Sequence, residues 1–133
     1  MRLIGRLTLI ALMVPLPAGA KQLCDVLGAS FAENSLVLVA SDKEATCQSN
    51  GAVTCWWEFP YRSGAARETY ANLVQDLSAC PTLIAATKDT GVNHPDTYDA
   101  VQFDLGVAAW VLSLKDKSAL GKSYVFLRQL GPE

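Results

Sequence analysis

His94 is the one histidine in the 133-residue chain, and two carboxylates, Asp96 and Asp99, stand close to it in sequence. A His–carboxylate pair can act as a general base or hold a cation weakly. Asn93-His94-Pro95-Asp96 is also plain turn chemistry, with Pro95 fixing the backbone and Asp96 suited to capping. A single histidine does not complete a histidine metal site. The serines Ser30, Ser63 and Ser113 have no G-x-S-x-G or triad context around them. Gly121-Lys122-Ser123 mimics the end of a phosphate-binding loop, but Asp116 occupies the place of the leading glycine and a strand follows where a helix is needed. Glu58, Glu68, Asp99 and Asp104 could form a carboxylate pair for hydrolysis, as the acids of any α+β protein could. The sequence therefore assigns no catalytic residue, no metal ligands and no cofactor.

Recognition chemistry is better represented. The segment Cys55-Trp56-Trp57-Glu58-Phe59-Pro60-Tyr61-Arg62 concentrates aromatic side chains beside a guanidinium. Its odd positions, Val53, Cys55, Trp57, Phe59 and Tyr61, read as the core face of a strand. Trp56 then points the other way, either under a covering element or into solvent. Trp, Tyr and Arg are the residue types enriched at binding hot spots, which makes Trp56, Tyr61 and Arg62 the candidate contact residues. Ser113-Leu114-Lys115-Asp116-Lys117 reads as a charged hairpin tip, solvated and protective against aggregation.

Four cysteines, Cys24, Cys47, Cys55 and Cys80, suggest two disulfides in a small exported domain. The favoured pairing is Cys24–Cys47 with Cys55–Cys80, each closing a loop of about 24–26 residues and stabilising by roughly 3 kcal/mol. Cys55 sits on the buried strand face, and Cys80 ends the apolar stripe of the following helix, Ala66, Tyr70, Leu73, Val74 and Leu77. In the simple two-residue register of an Asn50-Gly51 hairpin, Cys47 opposes Thr54; a one-residue bulge would bring Cys47 opposite Cys55 and permit that bridge instead.

These residues need elements to hold them. Leu23, Cys24, Leu27 and Phe31 are spaced for a short helix ending near Asn34. Leu36–Ala40 suits a strand buried on both faces, and the Asn50-Gly51 turn leads into the strand of Val53–Tyr61. Gly64 opens a helix that Pro81 stops. A loop through Asp89-Thr90-Gly91 precedes Tyr98–Leu114, one strand or two joined at Gly106. Ser123–Leu130 is the last strand. The order α-ββ-α-ββ implies an α+β domain with helices packed on an antiparallel sheet.

Residues 1–20 read as a cleaved signal peptide. Arg2 and Arg6 precede the apolar run Leu7–Leu16, and Ala18-Gly19-Ala20 offers the small-residue cleavage pattern. Lys21-Gln22-Leu23 is a poor approach to lipidation at Cys24. Cleavage would remove two of the 11 Lys+Arg and none of the 13 Asp+Glu, taking the net charge from −2 to −4. Such a chain has no bulk electrostatic reason to bind nucleic acid and keeps no stable membrane anchor. The reading is a periplasmic or secreted, non-enzymatic domain, residues 21–133, that binds another protein or an envelope component. A small carboxylate hydrolase and a purely structural envelope protein are the alternatives.

Overall fold

The computed structural model describes residues 18–28, 37–89 and 98–131. Most of the expected signal lies outside them, as do Phe31, Asn34, His94 and Asp96. In chain order the elements are α1 (Ala18–Gly28), β1 (Val39–Ala40), β2 (Lys43–Glu44), β3 (Thr46–Ser49), β4 (Val53–Pro60), α2 (Gly64–Ser78), β5 (Ala85–Lys88), β6 (Tyr98–Asp104), β7 (Ala109–Lys117), a 3-10 turn (Ser118–Leu120) and β8 (Lys122–Gln129). The α+β plan with a mostly antiparallel sheet is present. The simple α-ββ-α-ββ order is not, because the β1–β2 hairpin and the strand β5 are added to it.

Six strands form one sheet in the order β3-β4-β8-β7-β6-β5, every neighbouring pair antiparallel. Alternation decides which side chains go inside. Val53, Cys55, Trp57 and Phe59 are buried along β4, as the odd-position pattern predicts. Trp57 is opposite Val125 of β8, and Val125 is opposite Leu114 of β7, so one row of the core crosses three strands. Trp110, Leu112 and Leu127 add to the same face. Fully burying such a side chain contributes about 1.5–3 kcal/mol.

Helix α2 closes this face. Ser63 caps its start, its hydroxyl accepting from the Ala66 N–H at 3.3 Å, a contribution of about 1 kcal/mol. Ala66, Thr69, Leu73 and Leu77 are its buried residues. Tyr70 and Val74 are only half-buried, so the apolar stripe sits slightly rotated from the sequence reading. Helix α1 packs on α2.

The favoured cysteine pairing is overturned. The bridges are Cys24–Cys80, which ties α1 to the end of α2, and Cys47–Cys55, which joins neighbouring strands. The cause lies in one turn. Asn50, Gly51 and Ala52 form a three-residue loop, with Gly51 at φ +84°, a conformation glycine adopts without steric cost. Ser49 therefore pairs with Val53, and Cys47 falls directly opposite Cys55. That is the bulged register, and with Cys55 consumed, Cys80 meets Cys24.

Two further expectations change. The run before Ala40 is not buried on both faces: Leu38 is buried while Val37 and Val39 are exposed. It turns at Ser41-Asp42, both with positive φ, into a hairpin whose two-residue loop matches the primed turn geometry. The stretch after Pro81 is not all loop either. Residues Ala85–Lys88 form the edge strand β5, fully exposed and held by backbone pairing to β6.

Candidate functional site

The two faces of the sheet differ in kind. One carries the core and α2. Among the described residues no helix lies on the other, whose side chains come from the alternate positions of β4, β8, β7 and β6. One register row reads Thr46, Trp56, Phe126, Ser113 and Ala100; the next reads Glu58, Tyr124, Lys115 and Tyr98. Trp56, Tyr124, Phe126, Lys115 and Tyr98 are all half-buried, as a row of large side chains standing shoulder to shoulder must be. Ser113 and Ala100, small residues between them, are covered.

Rings and cations interlock here. Tyr124 and Phe126 stack with centroids 5.5 Å apart. The Lys115 ammonium lies 5.2 Å from the centroid of the Tyr98 ring and 5.2 Å from that of Phe126, within cation–π range. Burial holds the Lys115 ammonium below its ordinary pKa, and repulsion from Lys117 and Arg128 adds to the shift. Lys115, Lys117, Lys122 and Arg128 all belong to this face by strand alternation; among the described residues Glu58 and Asp104 are the carboxylates on it. Glu58 pairs with Lys122, and that ion pair raises the lysine's pKa. Asp104 accepts the Gly106 N–H at 2.9 Å. A chain with net charge −2 thus presents a face on which, among the described residues, cations outnumber acids.

Trp56 also borders a groove of ≈ 490 Å³ along the outer edge of β4, with Lys43, Glu44, Glu58, Pro60 and Lys122 among its walls. Strand β3 pairs with β4 only as far as Trp56, which leaves the later residues of that edge to β2. Lys43 clamps them. Its ammonium donates to the Glu58 carbonyl and stands 4.5 Å over the Phe59 ring, while its own carbonyl accepts from Trp57 Nε1 at 2.9 Å.

Tyr61 and Arg62 lie elsewhere, in the turn between β4 and α2. Arg62 has φ +54°, and its guanidinium stands 5.0 Å over the Tyr61 ring. The Arg62 N–H donates to Ser123 Oγ at 2.8 Å, the Ser123 hydroxyl donates to Asp116, and Arg62 Nε is 3.9 Å from Asp116 Oδ2. The Tyr61 N–H donates to the Gly121 carbonyl, so this turn abuts the β7–β8 turn at the end of the groove. The three candidate contact residues therefore do not form one cluster: Trp56 stands on the open face, whereas Tyr61 and Arg62 lie in the turn at the end of the sheet, with Arg62 against Ser123 and Asp116.

The supposed charged tip is a strand. In Ser113–Lys117 the odd residues face out, but Leu114 and Asp116 face in, and Asp116 is 4% exposed. Sequence reasoning missed Phe126, Tyr124 and Lys115 as partners of Trp56, although the alternation of β7 and β8 contained the signal. Of the carboxylates offered for hydrolysis, Glu58 and Asp104 share the open face but stand on β4 and β6 with β8 and β7 between them, Asp99 is on the core face of β6, and Glu68 is on α2. No group of three or more His, Cys, Asp or Glu gathers for a metal ion among the described residues. No protein-family model matches the chain, and no curated protein or solved structure matches it either.

Proposed function

We propose that this chain is an exported, non-enzymatic binding domain, periplasmic or secreted, that holds another protein or an envelope component on the open face of its sheet. The observation that carries the reading is the half-buried cluster of Trp56, Phe126 and Tyr124 over two adjacent register rows, with Lys115 set against the Phe126 ring. Aromatic side chains with a polar rim are the composition of binding surfaces. Trp56 is the contact residue shared by the face and the groove, with Tyr61 and Arg62 at the groove's end. Two disulfides are consistent with an oxidising compartment. No described helix is long and apolar enough to cross a membrane.

The test is capture from the producing cell's own envelope extract by immobilised protein. Trp56→Ala and Phe126→Ala are compared with Glu68→Ala, on the exposed side of α2, after their unfolding midpoints have been measured. A partner retained by the parent and by Glu68→Ala, but lost from folded Trp56→Ala and Phe126→Ala, supports the reading. Equal retention by all three variants overturns it.

A further inference from the structure

Charge spacing narrows the kind of partner. Along β7 the outward positions include Lys115 and Lys117, two residues apart and therefore about 6.8 Å from each other along the strand. Lys122 is directly opposite Lys117. Arg128 is opposite Val111, four residues from Lys115 at the far end of the same face. Among the described residues the acids of this face are occupied, Glu58 by Lys122 and Asp104 by the Gly106 N–H. Lys117 and Arg128, among the described residues, repel the Lys115 charge. Among the described residues, two lysines close together and a third cation farther along the same face are complementary to an extended anion.

The rings discriminate among anions. Bases bind proteins by stacking on aromatic faces turned to solvent. Here the Phe126 ring is already stacked on Tyr124, and the Lys115 ammonium lies over Tyr98 and Phe126. Such rings offer edges and apolar flanks, which suit side chains better than flat bases or sugar rings. An extended polypeptide presents every second side chain on one side at the same repeat as Lys115 and Lys117, so acidic residues two apart match them in register.

We infer that the open face binds an extended acidic polypeptide segment lying along β7 and β8, with carboxylates on Lys115, Lys117 and Arg128 and apolar side chains on Trp56 and Phe126. The inference rests on the open face being the contact surface and adds the chemistry of the partner. The free energy comes from charge-assisted pairs at the cations and from covering the half-buried rings. It weakens as salt rises.

Acrylamide quenching of tryptophan fluorescence tests it, because Trp57 and Trp110 are buried and Trp56 alone is accessible among the three. The full protein is titrated with poly-L-glutamate, with poly-D-galacturonate and with oligothymidylate of matched charge, at low and high salt. The inference predicts that poly-L-glutamate shields Trp56 in a salt-sensitive way. Lys115→Gln combined with Arg128→Gln should weaken its binding about tenfold. Arg128→Gln alone, at an exposed position, should weaken it less and guards against a folding defect in the double variant. Shielding by galacturonate or oligothymidylate but not by poly-L-glutamate overturns the polypeptide while leaving the open face as the contact surface. No shielding by any of the three overturns the inference, and the capture experiment separately decides the fate of the face.

Discussion

Asp116 shows how one residue can be misjudged from its neighbours. Between two lysines it looks like surface charge, yet counting inward positions from Leu112 and Leu114 places it in the core. There it accepts the Ser123 hydroxyl and faces Arg62 Nε, pinning the β4–α2 turn to the β7–β8 hairpin. Asp116→Ala removes the acceptor of a buried hydroxyl, which costs about 1–3 kcal/mol. Urea unfolding should show that loss, and a change below about 0.5 kcal/mol would mean the pin carries no stability. Tyr70 supplies a pH signature. Burial, reinforced by Asp99 and Tyr98, pushes its pKa up to about 12 from 10.0. Because the fold prefers the neutral phenol, its contribution is complete below pH 10 and is lost as pH rises toward 12. Over that window the parent should lose stability relative to Tyr70→Phe, whose ring does not titrate. Parallel pH curves for the two proteins would contradict this.

At the scale of elements, the bridges do different work. Cys47–Cys55 spans 8 residues and fastens neighbouring strands; Cys24–Cys80 spans 56 and holds α1 on α2. In the chain-entropy treatment the longer loop stabilises by about 4 kcal/mol and the shorter by about 2.5 kcal/mol. Cys24→Ala with Cys80→Ala should therefore lower the unfolding free energy more than Cys47→Ala with Cys55→Ala. The reverse order would show that α1 is held mainly by its apolar contacts. Non-reducing peptide mapping should recover these two pairs and no others. What the sequence left open at this scale came down to a single turn residue. Periodicity located β4, α2 and β8 well, because 2.0- and 3.6-residue repeats are set by burial. It could not decide whether Asn50-Gly51 closes over two residues or three, and that choice sets which cysteines meet. Strand β5 was invisible for another reason: Ala85–Lys88 is exposed on every residue, so no burial pattern marks it.

At the scale of the whole molecule, the sheet divides the described residues into a face covered by α2 and an open one. Half of this was legible in advance. The parity of Val53–Tyr61 placed Trp56 opposite the core, but nothing local in the sequence could say that Phe126, Tyr124 and Lys115 would stand beside it. Their meeting depends on β8 lying between β4 and β7, a long-range order no window of residues encodes. Tyr61 and Arg62, five and six residues after Trp56, belong to the turn instead. The contrast between faces also fits the proposed anionic partner of a chain with net charge −2: among the described residues the open face carries Lys115, Lys117, Lys122 and Arg128 against Glu58 and Asp104. Site-specific photo-crosslinking in the producing cell tests the division most directly, with benzoylphenylalanine placed at position 126 on the open face or at position 68 on α2. The account predicts a discrete adduct from Phe126→benzoylphenylalanine and none from Glu68→benzoylphenylalanine. Adducts only from position 68, or none from position 126, would contradict it.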